Sequence, residues 1–275
     1  MKSLFRYCLF AGLLPVAAHA ETYVVGVEQA DFEPYFSVDA QGNYQGFTRD
    51  LLDRFARDAG ITLTYKAVAP AELLDDLLKG RVDLKFPDSP YWAKERKAEK
   101  KLTYSSAVVE FIDGVMVAPT HQGKSIQLLK RLAVVQGWTP EQYRDSIASG
   151  HVTRVDSANL REMIRSTLKK QADGAYYNIE VAIHYLNYRS SSPNALVFDS
   201  RLPYSRGSYH LSTIKQPQLV ERFNRFLNEH SGEVAALKTQ YRVEENINSE
   251  FLGVEQWKVD FIKRQRAKEQ PQSSN

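Results

Sequence analysis

Gly80-Arg81-Val82-Asp83-Leu84-Lys85-Phe86-Pro87-Asp88-Ser89-Pro90-Tyr91-Trp92-Ala93-Lys94-Glu95-Arg96 is the stretch that decides the fold. It reads as a helix end, a short strand and a loop that feeds a new helix carrying an arginine. Gly80 ends the preceding helix, because glycine enters the left-handed region at little cost. Val82, Leu84 and Phe86 alternate with Asp83 and Lys85, as in a strand. Ser89 and Arg96 follow the strand's carboxyl end, which is where open α/β sheets bind ligands. A second strand-loop unit of similar shape lies around Asp173 to Asn178. Two such units predict two lobes with one cleft between them.

The same strand-helix rhythm runs outward in both directions. Tyr23 to Val27 is a buried-type strand, followed by a loop with Phe32, Pro34 and Tyr35 and a turn over Asp39 to Asn43. Phe47, Leu51, Leu52, Phe55 and Ala59 share one helical face, and Gly60 ends that helix. Ile61 to Ala67 alternates as a strand, and Ala71 to Lys79 is an amphipathic helix. Val108 to Ala118 is a long extended run. Leu132 to Val135 is a strand leading into Gly137-Trp138-Thr139-Pro140, where a helix start offers backbone N–H groups to an anion. Helices are predicted at Asn159 to Lys170, Ile179 to Tyr188, Pro217 to Leu227 and Gly232 to Tyr241. Strands are predicted at Gly174 to Tyr177, Leu196 to Phe198 and Ser208 to Ile214. This order argues for an α/β protein with mainly parallel sheets.

The N-terminus predicts export. Lys2 and Arg6 precede a mostly apolar run from Tyr7 to Ala18, and Ala18-His19-Ala20 is a small-x-small cleavage site. Cleavage there removes Lys2 and Arg6 and no acidic residue, which takes the net charge from +3 to about +1. That near-neutral balance argues against nucleic acid or an anionic membrane as partner. The sole cysteine, Cys8, lies in the leader, so the mature chain holds no thiol and no disulfide. The tail from Asn246 onward is basic, then polar, and reads as a helix fraying into a flexible end.

Catalytic and metal signatures are missing. His121, His151, His184, His210 and His230 are scattered without metal-ligand spacing, and there is no nucleophile elbow and no phosphate-binding glycine loop. No cofactor is expected. Asp88 and Glu28 stand near strand ends as lone carboxylates, a pattern that is more often structural or ligand-binding than catalytic.

In its blocks the sequence resembles the periplasmic solute-binding proteins of polar amino-acid transport, the family 3 type. The blocks are Val25-Gly26-Val27, Pro34-Tyr35, Gly42, Gly46-Phe47 and Asp50-Leu51, then Gly80 to Asp83 with Glu95-Arg96 and Tyr104-Ser105. Val134 to Gly137, and Pro217-Gln218-Leu219 with Asn224, Leu227 and Gly232, complete them. The resemblance covers roughly Tyr23 to Tyr241. It implies a two-lobed fold of the type II periplasmic-binding kind, closing on a small ligand, with Val115 to Pro119 and Ser208 to Thr213 as crossings. On that division, residues 1–20 are the leader, 21–117 and 208–245 form lobe I, 118–207 form lobe II, and 246–275 are a helix and tail.

The resemblance also implies a site. Arg96 matches the family's carboxylate-gripping arginine, Ser89 a ligand-facing position, Gly137 and Thr139 the lobe II loop of the carboxylate site, and Phe32 a covering aromatic. Asn178 stands where the family usually has an aspartate for the ammonium group. Tyr91, Ala93 and Trp138 replace small polar residues. Phe32, Tyr91, Trp92, Trp138 and one of the alternating pair Tyr176 and Tyr177 would then wall an aromatic pocket. The residues taken singly leave plainer roles open: Arg96 on a solvated helix face, Phe32 and Tyr35 in packing, Trp138 on the outside, Asn178 as a helix cap. The expected function is capture of a small carboxylate-bearing, amino-acid-like solute in the periplasm by a monomer serving an inner-membrane ABC permease, with no catalysis. A ligand-sensing subunit of a receptor, or a dehydratase-like enzyme on the same fold, are the alternatives.

Overall fold

The computed structural model describes residues 20–245, with residues 247, 261–262 and 264–265. The expected leader, apart from its last residue, and most of the expected tail lie outside the described residues. Strand β1 (Thr22–Glu28) opens the chain, followed by the two-residue pair β2 (Ser37–Val38) and β3 (Tyr44–Gln45). Helix α1 (Phe47–Ala59), β4 (Thr62–Val68), α2 (Pro70–Leu78), β5 (Leu84–Asp88), α3 (Lys94–Lys97) and β6 (Thr103–Tyr104) follow. The nine-residue β7 (Val109–Val117) leads to β8 (Arg131–Val135), α4 (Arg144–Ala148), β9 (Thr153–Ser157) and α5 (Leu160–Leu168). Then come β10 (Gly174–Asn178), α6 (Ile179–Tyr188), β11 (Val197–Phe198), β12 (Ser205–Thr213), α7 (Pro217–Glu229) and α8 (Ser231–Tyr241).

The main sheet has the order β4-β1-β5-β12-β7-β10-β8-β9. Its two wings are parallel, β1 lying between β4 and β5, and β8 between β9 and β10. Between the wings run β7 and β12, antiparallel to each other, pairing Val109–Asp113 with Ser205–Tyr209. Each continues into one wing: β12 pairs β5 and β6, and β7 pairs β10 and β11. The chain is thus two α/β lobes joined by two long strands. Their mutual pairing falls ahead of Val115, because Val115 to Val117 already belong to the lobe II sheet.

Burial on both faces explains where simple alternation misleads. The strand expected from Val82 to Phe86 runs instead from Leu84 to Asp88, with all five residues buried. Strands covered on both sides do not alternate with solvent, so Lys85 and Asp88 are interior and must be paired. In β8, Leu132 and Val134 join one apolar cluster while Ala133 and Val135 join the other. Helix α1 behaves as its spacing predicts: Phe47, Leu51, Leu52 and Phe55 are buried, and Phe55 meets Phe223 and Phe226 of α7 at centroid distances of 5.0 and 5.7 Å. Gly80, just past α2, has φ 68°, the left-handed value expected of a helix-ending glycine. The helix start expected after Thr139 is modest: a 3-10 turn over Glu141–Tyr143 and then the five residues of α4. Strand β9 has no forecast in the sequence, since Thr153-Arg154-Val155-Asp156-Ser157 is an edge strand with mostly polar residues.

Candidate ligand cleft

The loop after β5 is fixed from beneath by a buried ion cluster. Asp88 accepts from Lys97 Nζ at 2.7 Å and from the Ser212 hydroxyl at 2.6 Å, and Lys85 Nζ lies 3.3 Å away. Lys97 Nζ also donates to the Ser89 carbonyl at 2.8 Å. All five residues are buried. Burial would raise the Asp88 carboxyl, but the charges of Lys85 and Lys97 outweigh it and hold it below the usual carboxylate range. Burial lowers the Lys97 ammonium in turn. Removing one member would strand the others in the interior. Asp88 is therefore structural: it pins the segment Ser89 to Lys97 and sets Trp92 against Phe111 and Tyr209, each at 5.6 Å.

Phe32, in the loop after β1, is 3 % exposed and stands at the centre of a belt of rings. Its neighbours are Trp138 at 5.8 Å and Tyr177 at 5.7 Å from lobe II, and Tyr209 at 6.4 Å from β12. Trp138 stacks on Tyr177 at 4.9 Å, and Phe111 stacks on Tyr209 at 4.6 Å. Of the alternating tyrosines, Tyr177 joins this belt, while Tyr176 turns to the opposite face of the sheet and meets Tyr143 at 5.9 Å. The rings therefore bridge both lobes and both connecting strands.

The other residues expected at the site are placed as follows. Ser89 is 1 % exposed, and its hydroxyl accepts from the Tyr91 N–H at 3.4 Å. Tyr91 is 69 % exposed, with the Lys94 ammonium over its ring. Arg96 is half exposed and ion-paired to Asp75 of α2. Thr139 is exposed. Gly137 has φ 87°, and a Cβ there would come within 3.1 Å of the Ala71 Cβ at the start of α2, so the lobe II loop rests against lobe I at this point. Asn178 is fully buried: its Oδ1 caps α6 by accepting from the Val181 N–H at 3.0 Å, and its Nδ2 donates to the Tyr209 hydroxyl at 2.9 Å. The structure thus gathers Phe32, Trp138 and Asn178 around Tyr177 and Tyr209, and leaves Arg96, Tyr91 and Thr139 at the surface.

Two acidic residues complete the picture. Glu28, at the end of β1, is half-buried, and burial pushes its carboxyl up to about 7 against the pull of Lys85. Asp113, in β7, is likewise half-buried, and burial together with the charge on Glu28 pushes it up to about 7. Asp113 was missed by sequence reasoning; its signal was a charge between Ile112 and Gly114 in a mostly apolar extended run that also holds Glu110. Tyr209 was missed too, because nothing local marks one tyrosine of a long strand as central.

The lobes are also tied at their rim. Arg189, just after α6, makes a two-pronged contact to Glu33 with distances of 2.6 and 2.9 Å, and His184 lies 3.7 Å from Glu33. Deeper in, the Tyr35 hydroxyl donates to Glu180 of α6, whose other oxygen accepts from the Glu245 N–H at 3.0 Å. Among the described residues, no group of three or more His, Cys, Asp or Glu is arranged to hold a metal ion, and no helix is long and apolar enough to cross a membrane.

Two lobes joined by two extended strands, with a belt of rings at their junction, are the architecture of a two-lobed solute-binding protein. The profile of the bacterial extracellular solute-binding proteins, family 3, matches residues 23–244, and the chain belongs to that family. No curated protein sequence matches. Among solved structures, a mutant of the arginine-binding protein ArgBP from T. maritima superposes with a TM-score of 0.64 at 21 % identity, covering 80 % of this chain and 94 % of that one. An arginine 3rd transport system periplasmic binding protein from Legionella pneumophila gives 0.61 at 17 % identity, covering 81 % and 100 %. A histidine kinase sensor domain with similarity to periplasmic binding proteins gives 0.65 at 18 %, covering 81 % and 96 %. At these identities the likeness is one of fold.

Proposed function

We propose that the chain captures a small organic solute bearing an amino group in the periplasm, by closing its lobes, and presents it to an inner-membrane ABC permease without chemical turnover. One observation carries this reading: the belt of Phe32, Trp138, Tyr177 and Tyr209 draws on both lobes and a connecting strand, so its walls meet only when the lobes are together. Ligand contacts available only in the closed form shift the population toward closure. The amino group is supported by Glu28 and Asp113, which supply negative charge where Asn178 offers only an amide.

A second reading, a periplasmic sensor for a membrane receptor, is favoured by the likeness to a histidine kinase sensor domain; it uses the same closed form. The test is thermal unfolding of the chain from Glu21 against amino acids, amines and aromatic or dicarboxylic acids, with small-angle X-ray scattering on every hit. A ligand at a hundredfold over its Kd adds about 2.7 kcal/mol, which for a chain of this length raises Tm by roughly 5–10 °C. The expected result is such a rise with a smaller radius of gyration. A panel with no rise in Tm and no compaction would overturn solute capture.

A further inference from the structure

Three polar groups at the lobe junction lack partners. Among the described residues, neither Glu28 nor Asp113 has a hydrogen-bond or ion-pair partner for its carboxylate. Tyr177, 3 % exposed, has no hydrogen-bond partner for its hydroxyl, and the charges of Glu28, Asp31 and Asp113 all act on it. Glu28 and Asp113 are half-buried, so carboxylates without a partner there offer acceptor positions that a bound donor can fill. The cations on this loop are committed elsewhere: Arg96 to Asp75, and Lys85 and Lys97 to Asp88. The surroundings are aromatic, with Phe32, Trp138 and Tyr209 packed about Tyr177 or its neighbours.

We propose that the cleft takes a small organic cation, an amine or guanidine, with Glu28 and Asp113 as its counter-charges and the aromatic rings as its walls, and that the ligand needs no carboxylate. The inference rests on the reading of the chain as a solute-capturing protein and names the ligand class of that same cleft. Aromatic faces attract cations, and carboxylates bind N–H donors through charge-assisted hydrogen bonds. A ligand carboxylate would instead sit near two like charges with its family-type arginine engaged on α2. The groups acting on the pair are Lys85 and Asp88 on Glu28, and Glu28 on Asp113. An entering cation favours the ionised form of both carboxyls, so capture strengthens as pH rises from about 6 to 8.

Agmatine and arginine differ only by a carboxylate, so calorimetric titration with each isolates the claim. Agmatine is expected to bind at least as tightly as arginine. Glu28→Gln and Asp113→Asn, each checked for a Tm at pH 7.5 no lower than that of the unaltered chain, are expected to weaken agmatine tenfold or more. Putrescine and choline extend the probe set to an amine and a quaternary cation. Arginine binding without agmatine binding would overturn the proposal, as would silence from agmatine, putrescine and choline together. Closure on glutamate or a neutral amino acid, unaffected by Glu28→Gln, would overturn it too while leaving solute capture standing. Absence of closure with every solute tested would overturn both.

Discussion

Asn178 divides one amide between two tasks, its oxygen capping α6 and its nitrogen holding the Tyr209 hydroxyl. Losing the cap costs about 1 kcal/mol, and leaving a buried hydroxyl short of a partner adds about 1–3 kcal/mol. Asn178→Ala is therefore expected to lower Tm by several degrees in calorimetry, whereas Asn178→Asp, which keeps a capping oxygen, is expected to lose much less. The capping role was legible, because an asparagine between a strand and a helix is a common N-cap. The partner was not, since Tyr209 comes from a strand 31 residues later. The same limit hid the true status of Arg96 and Asp88. Sequence places both beyond or at a strand end, but only tertiary packing decides that one arginine folds onto Asp75 and one aspartate gathers two lysines.

Helix α6 ties lobe II to lobe I at two depths. At its start Glu180 accepts from Tyr35, and beyond its end Arg189 grips Glu33. The two ties differ in depth, and so in consequence. Tyr35→Phe leaves a buried carboxyl, already pushed up to about 7 by burial, without its hydroxyl donor. A loss of about 1–3 kcal/mol in urea unfolding is expected. Arg189 is exposed, so its pair contributes little to folding. Arg189→Ala should leave Tm within about 1 °C and weaken ligand affinity by at most a few fold, measured by calorimetric titration; a large fall in Tm would contradict this. Elements of this kind were well forecast where apolar spacing is regular, as in α1 and α6, whose bounds match the predicted spans. Forecasting failed where a strand is polar and peripheral, as in β9, or buried on both faces, as in β5.

At the scale of the whole molecule, three carboxyls share one behaviour. Glu28, Asp113 and Glu180 are each pushed up to about 7 by burial as the leading cause. Between the usual carboxylate range and pH 7 the folded chain therefore holds protons that the unfolded chain has released. Their stabilisation is full below about pH 4 and fades as pH rises through 7. Tm of the ligand-free protein is expected to fall from pH 5 to pH 8, and the double variant Glu28→Gln with Asp113→Asn should flatten most of that fall, leaving the share of Glu180. A Tm that climbs over this interval would contradict the burial of these groups.

The contact between Gly137 and Ala71 gives the molecule a doorstop waiting to be fitted. The two lobes meet there through the smallest side chains available, in a loop whose φ of 87° already excludes most residues. Ala71→Leu, on the helical side of the contact where no such restriction applies, would wedge the jaws apart while the ring faces and carboxylates of each lobe stay as they are. Such a jammed chain would let the encounter of solute with one lobe be watched without the snap that follows it.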